Sequence, residues 1–565
     1  MFSFKNITWK VNNRTILNNL SANLKANKLT AIMGGSGAGK TSLFRIISGR
    51  TAEKYQGEIS VNKTPISNAD LLAMSGYVHQ FDILPEDETV EEYLQFVSYL
   101  KVGHTNIEHL IDILGLKEIR KSIIGGPNAG ISGGQKKRVS IAVELIGNPE
   151  FIFLDEPTSG LDVFSATKLI KYLKKIERTT IVTIHQPSTE IFNTFDDLII
   201  MKDARIFYKG PTKNFVPYIV KQGFDFPPMT NPADYLFTDV LPFIKYENGA
   251  WNRYYRTDPD DLESEVSETE KYIERLIEHN DENYLEADTK IVIQGRKKNK
   301  MVVEMFLLFR RYIRSIKRNN LLGIMRLIEV VVYLLTISPI FFNIPSMPGA
   351  ALNETVRGFL YVVIINIFFG CALNCVDLFY YDARLFVKEF RSGLYSPMSY
   401  YISKTCVSII FCCVGPFITS PIFLLLSRMR YDFRQWSIFT YNVIIMGLTS
   451  HAVGILLCCV FSDPRVAYMS IPMMLIPFST LSGMCCSPHS LLLPLRILQF
   501  LSPPRYSLAI MLNNHFYKST PSPYIKTLIV DFPGTLYSLL ILTSMFVVFN
   551  LLSVLFLKRR IRNEY

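Results

Sequence analysis

The segment from Gly34 to Thr41 constrains the fold of this chain most, because it reads GGSGAGKT and fits the phosphate-loop pattern G-x-x-x-x-G-K-[ST]. An apolar, strand-like run (Leu29–Met33) precedes it, and an amphipathic helix pattern (Ser42–Ser48) follows it. Glycines allow backbone N–H groups to turn toward phosphate oxygens, and a helix N-terminus adds a favourable dipole. The segment therefore predicts a strand–loop–helix unit that binds a nucleotide.

Two residues at the end of this loop predict the chemistry of the ligand. Lys40 is placed to reach the β- and γ-phosphates as a point charge, and the hydroxyl of Thr41 can ligate Mg²⁺. We therefore expect ATP and Mg²⁺ at this loop. The predicted ATP-binding residues here are Gly34, Gly35, Ser36, Gly37, Ala38, Gly39, Lys40, Thr41 and Ser42.

Four further motifs follow in the first 190 residues. They are Gln80 at the end of the strand-like run Gly76–His79, Ile131–Gln135 before a helix pattern, the apolar run Phe151–Leu154 followed by Asp155 and Glu156, and His185 after the run Thr180–Ile184. A buried strand that ends in Asp-Glu places one carboxylate to hold Mg²⁺, directly or through water, and the next to orient the attacking water. Each motif alone also has an ordinary structural explanation, but their joint order is specific.

In this order the motifs resemble the Walker A, Q-loop, signature, Walker B, D-loop and switch histidine of an ABC-transporter ATPase. The D-loop resemblance lies in Ser159–Asp162. The resemblance narrows to the White/ABCG subfamily of half-transporters. The stretches that carry it are Leu29–Gly34, Arg138–Leu145, Asp155–Asp162, His185–Ser188 and Asn231–Tyr235.

The resemblance implies roles for these residues and a partner. Catalytic roles are implied for Glu156, His185 and Gln80, and Mg²⁺ ligation for Thr41, Gln80 and Asp155. In the family each ATP lies between the Walker A loop of one chain and the signature of another. Four residues are implied to contact the ATP that is bound to the Walker A loop of the second chain: Ser132, Gly133, Gly134 and Gln135. Because both halves of the site are intact, we predict a homodimer, although a heterodimer with another half-transporter remains open.

The chain is too long for one core and changes character along its length. It has 565 residues, 49% of them hydrophobic, and its long apolar runs all lie beyond about residue 320. We predict a nucleotide-binding domain over 1–240, a charged connector over 241–300 and a membrane domain over 301–565. The predicted spans, each long enough to cross a bilayer, are 321–343, 356–378, 402–427, 436–461, 466–486 and 535–557.

The predicted fold class is therefore an α/β P-loop ABC ATPase domain plus an all-α polytopic membrane domain of six transmembrane helices. The net charge of +11 does not indicate nucleic-acid binding, because much of it sits beside the apolar spans. Basic clusters at Arg310–Arg318 and Lys558–Arg562 predict that both termini are cytosolic. Arg428, Arg430 and Arg434 would lie on the outer side in this topology, which opposes it. The two basic clusters that face the cytosol outweigh them.

The substrate region is predicted less directly. Asp377 would be costly in hydrocarbon, so we expect it to face protein or a cavity. The family's substrate slot lies between the second and fifth spans of two protomers, which implies a cavity role for Phe368, Phe369 and Asp377. Met484 is implied to line the same cavity because Leu481–Cys485 resembles the family's outer gate. Simple packing of the two phenylalanines remains an alternative. The segment Arg384–Ser396 resembles the family's coupling elbow.

The predicted function is ATP-driven export of a lipophilic substrate, such as a lipid, a sterol or a hydrophobic small molecule, by an integral membrane dimer. An ATP-gated channel or regulator on the same scaffold is an alternative. A soluble ABC ATPase is another, which the apolar spans disfavour. The sequence leaves open the substrate and the membrane in which the protein resides.

Overall fold

The computed structural model describes the chain in two compact units, Met1–Lys298 and Asn299–Tyr565. The residues described are all except 12–13, 52, 105–106, 127–129, 248, 254–299, 319, 343, 345–348, 430–431, 485–491, 519–533 and 564–565. Within the helices, side chains at 320–323, 325–326, 329, 338, 349–351, 411–413, 416, 518 and 562–563 are also not described.

Unit 1 is built on two β-sheets and a short hairpin. Its strands are β1 (Phe2–Val11), β2 (Arg14–Leu24), β3 (Leu29–Gly34), β4 (Gln56–Val61), β5 (Thr64–Pro65), β6 (Ser75–Val78), β7 (Phe151–Leu154), β8 (Thr179–Thr183), β9 (Asp197–Lys202), β10 (Arg205–Pro211), β11 (Ile244–Glu247) and β12 (Ala250–Arg253). The larger sheet has the order β10-β9-β3-β8-β7-β6, and the smaller one has the order β2-β1-β4-β5.

The larger sheet is parallel except for its edge strand β10, which runs antiparallel to β9. Every residue of β3, β7 and β8 is buried. This fits their sequences, which contain apolar residues and threonine but no charged residue, because a parallel sheet covered on both faces has no solvent-facing side. The carboxyl ends of β3, β6, β7 and β8 meet at one edge, where ligands bind in sheets of this kind.

Helices cover this sheet. In unit 1 they are α1 (Lys40–Ile47), α2 (Asn68–Met74), α3 (Val90–Val102), α4 (Glu108–Ile113), α5 (Gly133–Leu145), α6 (Val163–Lys175), α7 (Thr189–Thr194), α8 (Phe215–Lys221) and α9 (Pro232–Tyr235). A π-helical turn, Leu236–Val240, follows α9. The helix α1 buries Leu43, Phe44, Ile46 and Ile47 on one side, as its amphipathic pattern predicts.

The smaller sheet packs onto the larger one through aromatic side chains. The ring of Phe2 lies 5.1 Å from that of Phe151 and 6.2 Å from that of Phe153, measured between centroids. Phe44 of α1 meets Phe153 edge to face at 5.6 Å. Tilted and edge-to-face pairs of this kind stabilise a core beyond the area they bury. They fix the strand β7, which leads into Asp155.

Unit 2 is helical. Its helices are α10 (Met301–Arg318), α11 (Asn320–Ile340), α12 (Gly349–Tyr381), α13 (Ala383–Arg391), α14 (Pro397–Leu426), α15 (Phe433–Val460), α16 (Pro464–Thr480), α17 (Leu493–Leu498), α18 (Pro503–His515) and α19 (Thr535–Asn563). The helix α15 lies at the centre and packs most extensively against α12 and α19. It is apolar on all sides, which is typical of a helix surrounded by others or by lipid.

Each of the six predicted spans overlaps one helix of unit 2, namely α11, α12, α14, α15, α16 or α19. Among the described residues, three segments are long and apolar enough to cross a membrane: Leu352–Tyr381, Phe433–Val460 and Thr535–Ile561. The predicted fifth span starts in α16, and its last two residues lie outside the described part of the chain. The predicted architecture, an α/β unit followed by a helical unit with apolar helices, is confirmed. The number of six spans stays a prediction.

The predicted connector, 241–300, falls mostly outside the described residues. Its first part forms the hairpin β11–β12, in which Trp251 donates its indole N–H to the carbonyl of Ile206 at 2.9 Å. The hairpin therefore packs onto the rest of unit 1, although it lies beyond the predicted boundary at residue 240.

The segment predicted as a coupling elbow forms α13 and the turn after it. Arg311 of α10 donates from Nη1 to both carboxylate oxygens of Glu389 at 2.8 Å, and the Tyr395 hydroxyl donates to Glu389 at 2.7 Å. Glu304 of α10 accepts from the backbone N–H of Ser396 at 3.0 Å. Buried charged contacts therefore tie α10 to α13 and to the start of α14.

Candidate active site

Two glycines of the phosphate loop are required by lack of space. A Cβ at Gly34 would lie 2.4 Å from the carbonyl oxygen of Met201, and one at Gly39 would lie 2.7 Å from Cδ2 of Leu17. Gly39 also has φ +95°, which glycine adopts readily. Gly35 is different, since no atom beyond its own residue and its two chain neighbours lies within 4 Å of the position that a Cβ would take. The first and last glycines are thus fixed by packing, whereas the second position tolerates a side chain.

Lys40 lies inside this loop. Its Nζ donates to the carbonyl oxygens of Gly34 at 2.6 Å and Gly35 at 3.0 Å, and the residue is buried. Burial lowers the pKa of Lys40, and the charges of Glu156 and Asp155 oppose that shift. The ammonium group therefore lies within the electrostatic field of both predicted carboxylates.

The rest of the loop lies around this lysine. Ser36 and Gly37 are exposed at its tip, and Ala38 is buried. Thr41 is exposed and Ser42 is half-buried, both in the first turn of α1. The hydroxyls of the predicted set therefore occur where solvent or a ligand can reach them.

Asp155 and Glu156 follow β7 and are held by the neighbouring strands. The hydroxyl of Thr183 donates to Oδ1 of Asp155 at 2.8 Å and accepts from the backbone N–H of Glu156 at 2.8 Å. The Tyr77 hydroxyl donates to Oδ2 of Asp155 at 3.2 Å, and burial and the Asp155 charge raise the pKa of Tyr77. Glu156 has φ +44°, which is uncommon for any residue other than glycine. Such a backbone conformation persists only where the surrounding structure holds it.

Gln80 closes the site on the side of β6. Its Nε2 donates to Oε2 of Glu156 at 2.9 Å. The backbone around Gln80 is held by Lys137 of α5, whose buried Nζ donates to the carbonyls of Gln80 at 2.8 Å and His79 at 3.1 Å. The same Nζ lies 3.0 Å from the carboxylate of Asp82. The structure thus joins the helix after the predicted signature to the predicted Q-loop of the same chain.

The predicted signature residues form the start of α5. Ser132 caps the helix, and its backbone N–H donates to the side chain of Gln135 at 2.9 Å in a capping box. A Cβ at Gly134 would lie 3.2 Å from Cβ of Ser165 in α6, and one at Gly133 would lie 3.6 Å from Leu161. The signature turn therefore packs on the D-loop of its own chain.

His185 is exposed after β8, and its ring lies parallel to that of Phe237, with centroids 5.7 Å apart and planes 1° apart. The structure therefore brings four predicted residues together at one edge of the sheet. Gln80 is hydrogen-bonded to Glu156, and the charge of Lys40 interacts with those of Asp155 and Glu156. The structure places His185 after the neighbouring strand.

Sequence reasoning missed several residues that support this site. Tyr77 and Thr183 lie within the strand-like runs before Gln80 and His185 but were given no role, and Lys137 and Phe237 lie outside the recognised motifs. For Thr183 the signal is the strand register. Leu154 pairs with Val182 in β8, so the next residues, Asp155 and Thr183, are neighbours. That pairing follows only once the strand order is known.

We expect replacement of Thr183 by valine to lower ATP turnover roughly tenfold, because Asp155 and the Glu156 backbone would lose the group that positions them. Loss of a buried hydrogen-bonding group should also lower stability by about 1–3 kcal/mol. The measurement is steady-state ATPase activity together with thermal unfolding. Thr180→Val is the matched control, since its buried hydroxyl donates only to the backbone of Arg178, at 3.1 Å. Wild-type turnover by Thr183→Val would contradict the prediction.

The residues predicted for a substrate cavity occupy different environments in unit 2. Phe368 is fully buried and meets Phe369 edge to face at 6.2 Å. Asp377 is exposed on α12 and accepts a hydrogen bond from the Tyr468 hydroxyl of α16. Met484 is half-buried in the turn after α16. The partner of Asp377, Tyr468, was not among the predicted residues.

Comparison with known proteins agrees with this architecture. Residues 17–159 match the family model described as ABC transporter, and residues 303–516 and 185–259 match two described as ABC-2 type transporter. The broad substrate specificity ATP-binding cassette transporter ABCG2 of Sus scrofa is 28% identical over 547 residues, covering 89% of this chain and 80% of the relative.

Two further relatives come from invertebrates. Protein white of Drosophila melanogaster is 27% identical over 541 residues, covering 90% of this chain and 75% of its own length. The ABC transporter ATP-binding protein/permease wht-1 of Caenorhabditis elegans is 26% identical over 504 residues, covering 85% of this chain and 74% of its own length.

The fold and the matches define an ABC transporter in which an ATPase domain precedes a helical membrane domain. This chain belongs to the White/ABCG subfamily of half-transporters, with its ATPase at the N-terminal side. It is thus an ATPase in which the hydrolysis of ATP is coupled to transport across a membrane.

Proposed function

We propose that this chain acts as one half of a homodimeric exporter that uses Mg²⁺ and ATP to move a lipophilic substrate. The observation that carries the ATPase part is the convergence of Lys40, Gln80, Asp155 and Glu156 at one edge of the sheet. A cation, an amide and two carboxylates at the end of a phosphate loop suit phosphoryl transfer, in which positioning and electrostatics supply most of the catalysis.

The residues present fit ATP and Mg²⁺. Lys40 now donates to loop carbonyls, and the same three-donor ammonium group suits phosphate oxygens. Thr41 and Asp155 supply oxygen ligands, and Gln80 supplies an amide oxygen, which are the donors that Mg²⁺ prefers. When bound, the ion would neutralise negative charge on the phosphate oxygens. The loop glycines and Ser36, Ala38 and Ser42 would complete the cradle.

Glu156 is the proposed group that orients the attacking water and accepts its proton. Its backbone is held by Thr183 and its carboxylate by Gln80, so the carboxylate is kept in a defined position. Fixed geometry of this kind is what converts a weak general base into an efficient one. His185 would contact the terminal phosphate from the end of β8.

The second copy of the chain would complete each site. The turn formed by Ser132, Gly133, Gly134 and Gln135 starts α5, so its backbone N–H groups and helix dipole suit an anion. In the proposed dimer this turn contacts the ATP held by the partner's phosphate loop. Two copies related by a two-fold axis would give two complete sites.

Export is proposed for a lipophilic substrate through a membrane domain of six spans with both termini in the cytosol. The apolar helices of unit 2 support a membrane location. The ABCG2 relative is named for broad substrate specificity, which supports a cargo drawn from a class of compounds rather than a single compound. Phe369, Asp377 and Met484 are proposed to line the substrate path, and the buried Phe368 would support it by packing.

The homodimer is tested by expressing this chain alone and reconstituting it in nanodiscs. We expect a particle with the mass of two chains that hydrolyses ATP and is stimulated by some members of a panel of lipids and hydrophobic drugs. Lys40→Met is the control for contaminating ATPases, since it removes the phosphate-binding charge. A monomer without hydrolysis that gains activity when a second half-transporter is added would contradict the homodimer.

A further inference from the structure

His185 stacks on an aromatic ring that lies outside the motifs described above. The imidazole and the Phe237 ring are parallel within 1°, and their centroids are 5.7 Å apart. His185 is exposed, and Phe237 is half-buried. An exposed histidine side chain samples several rotamers unless a neighbour restricts it. The ring of Phe237 is placed to be that neighbour.

The turn that carries Phe237 is firmly held. Phe237 belongs to the π-helical turn Leu236–Val240, and Leu236 and Val240 on either side of it are completely buried. Beyond the turn, Lys202 of β9 donates to the carbonyls of Leu241 and Ile244, the latter at 2.6 Å. Single π-helical turns occur frequently at functional sites. Phe237 is therefore presented from a fixed backbone.

The same segment is also bonded to the loop that carries His185. Asn231 donates from Nδ2 to the carbonyl of Pro187 at 3.0 Å, and its Oδ1 accepts from the backbone N–H of Ala233 at 3.1 Å. Between His185 and Pro187, Gln186 adopts φ +36°, so the chain turns sharply after the histidine. The segment from Asn231 to Phe237 therefore contacts both ends of the three-residue loop His185–Pro187: the Asn231 side chain bonds to the Pro187 carbonyl, and the Phe237 ring stacks on His185.

We propose that Phe237 is a positioning residue for His185, holding the imidazole in one orientation toward the terminal phosphate. This inference rests on the role proposed above for His185. The ring supplies a flat apolar surface that the imidazole can stack on, and it adds little flexibility of its own because it has two rotatable side-chain bonds. An aliphatic side chain at 237 would fill the space without fixing the plane of the imidazole.

The test compares ring-free and ring-retaining variants of the full-length reconstituted protein. Phe237→Leu should lower kcat roughly three- to tenfold, while KM for ATP changes by less than about twofold, because ATP is bound by the phosphate loop. Phe237→Tyr keeps the ring and should retain wild-type kcat. Tyr246→Leu, which removes a partly exposed ring from the neighbouring hairpin, is the matched control and should also leave kcat unchanged.

A double-mutant cycle with His185→Ala separates positioning from a general structural role. In the His185→Ala background Phe237→Leu should have no further effect on kcat, since the group it positions is gone. Phe237→Met provides a second ring-free variant if the leucine variant does not fold. Wild-type kcat in both ring-free variants, or the same loss with and without His185, would overturn the inference. Wild-type kcat in His185→Ala alone would instead overturn the role proposed for the histidine, and this inference with it.

Discussion

Replacement of Glu156 by glutamine is expected to lower ATP turnover by about 10²- to 10⁴-fold while ATP remains bound. The amide has nearly the shape of the carboxylate, and its oxygen can still accept the hydrogen bond that Gln80 donates at 2.9 Å. It cannot accept a proton from water. In the proposed site, Lys40 and the loop amides bind the phosphates, and the substitution does not change them. The measurement is steady-state ATPase activity beside equilibrium binding of labelled ATP.

Two further variants make this result specific. Lys40→Met should weaken ATP binding itself, because it removes a charge from the phosphate site. Glu58→Gln makes the same chemical change at an exposed position of β4 and should alter neither quantity. Normal hydrolysis by Glu156→Gln would remove Glu156 from the proposed site. Loss of ATP binding in that variant would assign the residue to nucleotide affinity rather than to water activation.

Local motifs were sufficient to predict the ATPase fold and the positions of its loops. A phosphate loop needs glycine where backbone or side chains leave no room, so Gly34 and Gly39 carry the pattern in the sequence itself. The strands β3, β7 and β8 are buried on both faces and lack charged residues, so the sequence also indicates the parallel sheet. The loop glycines and the buried strands depend mainly on residues close to them in the chain, and the sequence shows those residues directly.

The support of the site could not be predicted in the same way. Thr183 holds Asp155 and Glu156 across 27 to 28 residues, and Lys137 reaches Gln80 across 57 residues. Phe237 meets His185 only because a π-helical turn faces the end of β8. A threonine in an apolar strand and a phenylalanine after a short helix are ordinary in sequence. Their function arises from tertiary packing, which overrides local pattern.

In the membrane domain the sequence predicted apolar stretches better than it predicted polar contacts. The stretch predicted over 356–378 lies within a longer helix, Gly349–Tyr381, because seven residues before the stretch and three aromatic residues after it continue the helix. Asp377 was expected to face protein or a cavity, and its partner proved to be Tyr468 on another helix. Hydropathy indicates where a helix runs, but it does not identify which polar groups meet across two helices.

Removal of one partner of the Arg311–Glu389 pair is expected to destabilise the protein by about 3–5 kcal/mol, because it leaves a buried charge without its counter-ion. The Arg311 side chain is 9% exposed and that of Glu389 is 1% exposed. In Arg311→Met the carboxylate would keep the hydrogen bond from Tyr395 but lose both bonds from the guanidinium. We expect a marked fall in the apparent melting temperature of the purified protein in nanodiscs.

The double variant Arg311→Met/Glu389→Gln distinguishes a lost ion pair from lost packing. Because the second substitution removes the unpaired charge, the double variant should be more stable than Arg311→Met alone, and the two effects should not add. Arg465→Met is the matched control, since Arg465 pairs with Asp463 at 2.9 Å but is 85% exposed, and exposed pairs contribute little to stability. Its melting temperature should stay close to that of the wild type. Equal melting temperatures for Arg311→Met and Arg465→Met would show that the contact between α10 and α13 depends on apolar packing instead of charge.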